Sequence, residues 1–307
     1  MAQPTVEFIW KNGELVEWEK ATTHVLTHAL HYGSGVFEGI RAYATDRGPA
    51  IFRLREHMQR LLNSSRMLYM DIPYTLDEIC QVVVDTVAAN KVDSCYIRPL
   101  VYRGYGSMGV DPLAAPVDII VACWPWDTYL GAEAIEAGIS VGTSSWRQRS
   151  INALPPGIKA TGNYVNSGFA RVEATRNGYG EAVILNEAGQ VCEGSGDNLF
   201  VVYGTTVVTP PVSDGILPGI TRASILELAR DLGYDTQERS LARTELYTAD
   251  EFFLTGTAAE VVPVTAVDGI TVGNGRAGDV TKALQKAFFD IVEGRSDAHG
   301  DWITYVR

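Results

Sequence analysis

One of the six lysines in the chain, Lys159, has a setting unlike that of the other five. It lies in the segment PPGIKATGNY, after a rigid Pro-Pro-Gly turn, and only three small residues separate it from a predicted helix start at Asn163. Small neighbours let a ligand approach the backbone closely, and a lysine held near apolar groups loses its proton readily enough to attack a carbonyl carbon. Lys159 is therefore a candidate nucleophile, although this segment by itself favours an ordinary loop lysine.

Two further segments have features that suit a phosphate group. Thr221 follows Pro218-Gly219-Ile220 and is predicted in the first turn of an amphipathic helix, where free amides and the helix dipole attract anions. Thr257 lies in LTGTAAE, a strand that runs into a turn of small residues with hydroxyls and amides. Plain helix capping and a tight structural turn are the alternatives.

Two charged residues complete a candidate ligand site. Arg60, on the predicted helix LREHMQRLL, offers a fixed positive charge to a phosphate, or simply faces solvent. Glu193, in Cys192-Glu193-Gly194, follows a hairpin and precedes a Gly-rich turn. A carboxylate there suits a protonated ring nitrogen, and a surface hairpin carboxylate is the alternative.

Tyr96 and Arg98 are two residues apart in CYIRPL and therefore lie on one face of a strand. Arg98 is either a stacked structural residue or a group that binds a carboxylate. Pro99 predicts that this strand is at a sheet edge or bulged, because proline cannot donate a ladder hydrogen bond.

The elements that would position these residues indicate two domains in a mixed α/β (α+β) protein. Residues 1–124 contain a hairpin with Asn12-Gly13 at its turn, a helix in LREHMQRLLNSSRML, a capping box at Thr75-Leu76-Asp77-Glu78, and two apolar strands. Residues 125–138 are predicted to connect the domains. Residues 139–307 contain short strands with tight turns, which predict an antiparallel and strongly curled or barrel-like sheet, and three amphipathic helices.

Composition excludes several classes of protein. A net charge of −12 argues against nucleic-acid binding, which needs a basic surface. No signal peptide and no apolar run of membrane-spanning length is evident, so no membrane association is expected. The four cysteines are widely spaced, which predicts free buried thiols in the cytoplasm and no metal site.

Taken together, the segments resemble the branched-chain aminotransferases of the fold-type IV pyridoxal-phosphate enzymes. The matching motifs follow the family's order over nearly the whole chain: HALHYGSGVFEGIR, REHMQRL, YIRPL, SSW, KATGNY, EGSGDNLF, LPGITR, DEFFLTGTAAE and VDG. The resemblance implies two domains, a small N-terminal α/β domain and a larger cofactor-binding domain. It also implies ping-pong transamination of L-leucine, L-isoleucine and L-valine with 2-oxoglutarate.

The resemblance assigns the cofactor, pyridoxal 5′-phosphate, to a set of residues. Lys159 would hold it as a Schiff base and move the proton from the substrate Cα, Tyr164 would bond its phenolic oxygen, and Glu193 its ring nitrogen. The implied phosphate ligands are Arg60, Ile220, Thr221 and Thr257.

The resemblance also assigns the substrate-binding residues. Phe37, Tyr164 and Trp126 would form apolar walls, and the backbone at Thr257-Ala258, with Tyr96, would bind the α-carboxylate. Gly196 is a further implied substrate residue. The implied γ-carboxylate ligands are Tyr32, Arg98 and Tyr129.

Other activities of the same fold type remain alternatives, namely transamination of D-amino acids or (R)-amines and aminodeoxychorismate lysis. A non-catalytic binding protein is disfavoured because the lysine and its implied partners occur together. The family implies a homodimer at least, with a hexamer as the larger alternative. One departure is Thr161, where the family often has glycine, and this change affects the backbone beside Lys159.

Overall fold

The computed structural model describes residues 6–126 and 132–306. The chain forms two compact units: unit 1 comprises Met1–Trp126, Ile158–Gly162 and Asp290–Arg307, and unit 2 comprises Asp127–Gly157 and Asn163–Phe289. The connection expected at 125–138 lies partly outside the described residues and stays a prediction. Within the described ranges, no helix is both long and apolar enough to cross a membrane.

The predicted amphipathic segments form helices. In chain order the α-helices of the described residues are α1 (His28–Tyr32), α2 (Leu54–Met67), α3 (Leu76–Asn90), α4 (Ala132–Ala137), α5 (Tyr164–Arg176), α6 (Ile220–Asp231) and α7 (Asp279–Val292). The helix α3 begins with the predicted capping box, in which Thr75 and Glu78 each bond the other's backbone N–H. The helix α2 buries Leu54, Met58 and Leu61, as its periodicity predicts.

Unit 1 contains one sheet whose order is β17-β5-β4-β6-β7-β1-β2, with β3 paired to β6. Its strands are β1 (Phe8–Lys11), β2 (Glu14–Glu17), β3 (Gly35–Phe37), β4 (Ile40–Tyr43), β5 (Ala50–Phe52), β6 (Cys95–Arg103), β7 (Val117–Trp124) and β17 (Ile303–Tyr305). The β1–β2 turn has positive φ at Asn12 and Gly13, as a type I′ hairpin requires. One sheet face packs on α2 and α3 to form the apolar core.

The strand β6 is not at an edge of the sheet, although Pro99 lies in it. It pairs with β7 along its length and, on the other side, with β4 at Ile97 and with β3 at Leu100. Pro99 falls where the partner changes from one strand to the other. The hydrogen-bond ladder on that side of β6 is interrupted at Pro99, so the proline, which has no N–H, leaves no ladder bond unmade. A central strand tolerates proline in this way.

Unit 2 contains a second sheet, of order β10-β9-β8-β15-β14-β11-β12-β13, with β16 paired to β15. Its strands are β8 (Ile139–Arg147), β9 (Glu181–Leu185), β10 (Val191–Gly194), β11 (Asn198–Tyr203), β12 (Thr206–Thr209), β13 (Asp235–Glu238), β14 (Glu251–Gly256), β15 (Glu260–Val267) and β16 (Ile270–Thr271). The sheet is mixed, so the expectation of an antiparallel sheet is confirmed for five of its described strand pairings and wrong for three. The strand β8 runs parallel to β9 and to β15, and β12 runs parallel to β13, because helices or long segments connect these pairs.

The connection between β10 and β11 confirms that this sheet is curled. Only Ser195, Gly196 and Asp197 join the two strands, and so short a step spans at most about 15 Å. Five strand spacings separate β10 from β11 in the sheet order, which would be about 24 Å in a flat sheet. The sheet must therefore bend to bring these two strands together.

Candidate active site

Lys159 is held against the strand β3 by its own backbone and by its neighbour Ala160. Its carbonyl accepts a hydrogen bond from Phe37 N (3.0 Å), and Ala160 forms a bridge with Val36. Lys159 Nζ lies 5.1 Å from the centroid of the Phe37 ring. The strand thus sets both the position of the lysine backbone and an aromatic surface beside its amine.

The departure at Thr161 contributes to this attachment. Thr161 Oγ1 donates to Gly33 O at 2.8 Å and also lies 3.2 Å from Gly35 O. A glycine at this position would lack both contacts. The hydroxyl therefore ties the residues that follow Lys159 to the start of β3.

Arg98 lies among aromatic rings on the face of β6 that it shares with Tyr96. Its guanidinium carbon is 4.7 Å from the Phe37 ring centroid, 5.4 Å from that of Tyr96 and 6.0 Å from that of Trp124. Its buried Nε has no hydrogen-bond partner among the described residues. The arrangement is a positive charge with an unused donor inside an apolar, aromatic surface.

Tyr96 is fixed by its neighbours. Its ring centroid lies 5.4 Å from that of Trp124 and 4.8 Å from that of Trp126. Its hydroxyl approaches the backbone so closely that a Cβ atom at Gly39 would be 1.9 Å from it. Glycine at position 39 therefore makes room for the Tyr96 hydroxyl.

Arg60 is bound by a buried carboxylate. Its Nε and Nη2 donate to Glu38 Oε1 and Oε2 at 2.6 and 2.8 Å, which uses two of the five N–H donors of a guanidinium. His57 Nδ1 lies 2.7 Å from Glu38 Oε2, and Glu38 is fully buried. Burial alone would raise the pKa of Glu38, but the Arg60 guanidinium and the His57 contact hold it well below its usual range.

In unit 2, three N–H donors surround Glu193, at the end of β10. Gln148 Nε2 donates to Oε1 at 2.6 Å, while Leu217 N and Asn198 Nδ2 donate to Oε2 at 2.9 and 3.3 Å. The residue is only 9% exposed. Hydrogen bonds of this kind favour the charged form of a carboxylate.

Tyr164 is the first residue of α5, and Arg149 lies within electrostatic range of it. Burial lowers the pKa of the Arg149 guanidinium, whereas Glu193 and Tyr164 oppose that shift. Arg149 Nη1 donates to Asn163 O at 3.0 Å, at the residue that precedes Tyr164. Unit 2 therefore brings Tyr164, Arg149 and Glu193 into one neighbourhood.

The segments expected to bind phosphate have the predicted local structure. Ile220 and Thr221 open α6, and the N-cap residue Gly219 forms no side-chain cap, so no cap side chain occupies the first-turn amides. Thr257 and Ala258 lie in the turn between β14 and β15. Gly196 is exposed in the turn that follows β10.

Within the described residues, the structure shows no contact between Arg98 and Tyr32, which was also expected to bind a γ-carboxylate. Tyr32 is 46% exposed on α1, where its ring packs on His28 at 4.6 Å between centroids. Tyr129 lies outside the described residues. The assigned roles of all the site residues stay predictions.

Sequence reasoning missed several residues that bond the expected ones. Glu38 binds Arg60 and is itself bonded by His57, while Gln148 and Asn198 bond Glu193. A charged residue inside the apolar segment GVFEGI was an available signal for Glu38, because a buried carboxylate needs a cationic partner. No comparable signal marked the two amides, since their contact with Glu193 depends on the fold.

Residues 35–267 match the family model for amino-transferase class IV, which is more than half of the chain. The protein belongs to the class IV aminotransferase family. Among its relatives, the branched-chain-amino-acid aminotransferase of Escherichia coli K12 is 46% identical over 308 residues, with 100% of each chain covered.

Solved structures give the same result. The crystal structure of the branched-chain aminotransferase of the archaeon Thermoproteus uzoniensis with norvaline superposes with a TM-score of 0.94 at 40% identity, covering 99% of this chain and 100% of the other. The PLP-form (holo-form) of the branched-chain amino acid aminotransferase of Thermobaculum terrenum gives 0.93 at 35% identity, with 100% of each chain covered. These likenesses confirm the fold and the family that the motifs indicated.

Proposed function

We propose that this protein is a pyridoxal-phosphate-dependent aminotransferase that moves amino groups between branched-chain L-amino acids and 2-oxoglutarate. The observation that carries the proposal is the setting of Arg98, a cation with an unused donor among Phe37, Tyr96 and Trp124. An apolar wall suits a branched alkyl side chain. The embedded cation suits the acidic side chain of the second substrate, because a buried carboxylate needs a charged or hydrogen-bonding partner.

The described residues fit the cofactor. The uncapped first turn of α6 offers amides to a phosphate at Ile220 and Thr221. Glu193, a carboxylate held by three N–H donors, fits a protonated ring nitrogen. Lys159 would hold the cofactor through its amine, and the other assigned ligands are Arg60 and Thr257 at the phosphate and Tyr164 at the phenolic oxygen.

When bound, pyridoxal 5′-phosphate supplies an aldehyde carbon and an electron-withdrawing ring that accepts negative charge from the substrate. The protein's own contribution is to place donors and acceptors. Lys159 Nζ would take the proton from the substrate Cα and return it, acting as a general base and then as a general acid. Glu193 would keep a proton on the ring nitrogen by remaining an anion.

The assigned substrate-binding residues are part of the same proposal. Tyr96 and the backbone at Thr257-Ala258, with Gly196 nearby, would bind the α-carboxylate. Phe37, Tyr164 and Trp126 would contact the alkyl side chain, and Arg98, with Tyr32 and Tyr129, the γ-carboxylate of glutamate.

We further propose a homodimer as the minimal assembly, with a hexamer as the larger alternative. Support comes from Tyr32, which is 46% exposed with its ring packed on His28, so its assigned role would be met in the site of a second copy. Sedimentation of the purified protein distinguishes a monomer, a dimer and a hexamer. A cytoplasmic location is proposed from the four cysteines, none of which forms a disulfide.

Borohydride labelling tests the assignment of Lys159. Protein incubated with pyridoxal 5′-phosphate and reduced should carry the added mass on the peptide that contains Lys159. Lys159→Ala should lose both the label and the amino transfer, whereas Lys282→Ala, a change on the exposed face of α7, should keep both. Labelling at another lysine with activity retained in Lys159→Ala would overturn the assignment.

A substrate panel tests the reaction class. Each of L-leucine, L-isoleucine, L-valine, their D-enantiomers and a chiral amine is supplied with 2-oxoglutarate, and glutamate formation is measured. The three branched-chain L-amino acids should be the preferred donors. Preference for a D-amino acid or an (R)-amine would refute the proposed specificity while leaving the cofactor assignment in place.

A further inference from the structure

Glu193 is held by two amide side chains, and the NH2 group of each amide donates to two acceptors. Gln148 Nε2 donates to Glu193 Oε1 at 2.6 Å and to Gly215 O at 2.8 Å. Asn198 Nδ2 donates to Glu193 Oε2 at 3.3 Å and to Leu217 O at 3.0 Å. Each amide therefore joins the carboxylate to a backbone carbonyl of the segment 215–217.

Burial shows that this arrangement is built into the interior of unit 2. Gln148 is 3% exposed and Asn198 is 6% exposed. In both residues the nitrogen faces two acceptors, which fixes the orientation of the amide. Since a buried polar group without a partner is costly, neither amide can turn away from Glu193 without losing bonds that water cannot replace.

The segment 215–217 leads directly into α6. A Cβ atom at Gly219, the N-cap of α6, would lie 1.8 Å from Asn198 Oδ1, so the start of the helix is packed on the same amide. The carboxylate and the first turn that contains Thr221 are thus fixed relative to each other. A ligand that used both groups would find them at a set spacing.

We propose that Gln148 is a positioning residue for the cofactor: it keeps the Glu193 carboxylate charged and directed so that Glu193 binds the protonated ring nitrogen. The inference rests on the proposed role of Glu193. Gln148 makes the shortest of the three bonds to that carboxylate, and it bonds Oε1. Asn198 and Leu217 N fix Oε2, so the two oxygens have separate supports.

The chemistry of the residue at position 148 decides whether Glu193 acts as an anion. A neutral amide donates to the carboxylate. A glutamate of the same shape would place a second carboxylate at that distance, and two such groups share one proton because both cannot be charged at close range. The charge that Glu193 offers to the ring nitrogen would then be reduced.

The test compares two probes that differ only at the ring nitrogen. Dissociation constants are measured on the cofactor-free protein for pyridoxal 5′-phosphate and for its carbocyclic analogue, in which C–H replaces the ring nitrogen. Gln148→Met should weaken binding of pyridoxal 5′-phosphate about tenfold, the size expected for one lost hydrogen bond to a charged group, and should change the analogue less than about twofold. Gln148→Glu keeps the shape of the side chain. It should weaken binding of pyridoxal 5′-phosphate relative to the analogue by at least as large a factor as Gln148→Met does.

Two controls separate positioning from folding. Gln285 also donates to two backbone carbonyls, Ile135 O and Val261 O, both at 2.9 Å, but it does not contact Glu193. Gln285→Met should lower the stability of the cofactor-free protein to urea, but it should change the dissociation constants of the two probes by the same factor. In a Glu193→Ala background, Gln148→Met should have no further effect on either dissociation constant.

The outcomes are distinguishable. If Glu193→Ala weakens both probes equally, the proposed role of Glu193 fails and the inference fails with it. If Glu193→Ala discriminates between the probes but both Gln148 variants weaken them equally or not at all, the role of Glu193 stands and the inference is overturned.

Discussion

Replacement of Arg98 by methionine should change which substrate reacts, with little effect on the branched-chain donor. Methionine has a similar length and remains flexible among the aromatic rings, so it keeps the space filled while removing the charge. A γ-carboxylate that enters beside Arg98 would then lose its charged partner. An isobutyl side chain would lose only an apolar contact with the side-chain stem.

The magnitude follows from the contacts of Arg98. The guanidinium has a buried Nε without a partner among the described residues and rings at 4.7 to 6.0 Å, so a carboxylate there would receive a charge-assisted bond with little competition from water. Such a bond contributes about 1.5–3 kcal/mol, which corresponds to a loss of about 10-fold to 150-fold in kcat/KM for glutamate. For leucine we expect a change of less than about threefold.

The assay follows each half-reaction separately. Protein loaded with the cofactor is mixed with L-glutamate or with L-leucine, and the change in cofactor absorption gives kcat/KM for each donor. Both donors react with the same preparation, so their ratio does not depend on the fraction of active protein. Arg98→Lys, which keeps the charge but not the planar donor fork, should give an intermediate ratio.

An exposed arginine provides the matched control. Arg55, on α2, has a side chain that is 64% exposed, and Arg55→Met should leave both rate constants unchanged. Equal losses for glutamate and leucine in Arg98→Met would refute the reasoning. They would mean that Arg98 supports the structure of the site and not the binding of the acidic substrate.

Three further changes test the supports of unit 1. Glu38→Gln should lower the free energy of unfolding by about 3 kcal/mol near neutral pH, because it leaves Arg60 without its buried anion. Because the pKa of Glu38 is held low in the folded protein, its contribution to the free energy of unfolding is present above the unfolded pKa and is lost as pH falls below about 4. Urea unfolding should therefore show that the stability difference between the wild type and Glu38→Gln shrinks at low pH. A difference that stays constant with pH would contradict the ion pair. Gly39→Ala should displace the Tyr96 hydroxyl, raise KM for leucine and for glutamate, and cost about 1–3 kcal/mol in unfolding measurements; unchanged KM values would remove Tyr96 from substrate binding. Thr75→Ala removes a helix cap and should cost about 1 kcal/mol with activity retained, and a fall in kcat would show an unexpected link to the site.

Local chemistry explains why much of this protein was predictable. The Asn12-Gly13 turn and the capping box at Thr75 depend on residues that are neighbours in the chain, so their structure follows from residue type. The amphipathic helices follow from apolar periodicity. The order of the motifs was sufficient to indicate the family, and Lys159 and Glu193 were recognised as candidates from short local segments.

Distant contacts explain what could not be predicted. Gln148 and Glu193 are 45 residues apart, and Glu38 and Arg60 are 22 apart, so no local pattern shows that they touch. The parallel pairing of β8 with β9 and β15 also depends on which strands the folded chain brings together. An antiparallel sheet was expected because tight turns are visible in the sequence, whereas crossover connections are not.

The sequence by itself determined which groups are available for chemistry, namely Lys159, Glu193 and Arg98, and the local structure around each of them. Only the tertiary structure decided the partners that set their charge and direction. Arg98 lacks an acidic partner within the described residues because the neighbouring strands place aromatic rings around it, whereas Arg60 is bound by Glu38. The charge of a side chain follows from its residue type. Its solvation and its bonding partners, which decide whether that charge can bind a ligand, are set by the fold.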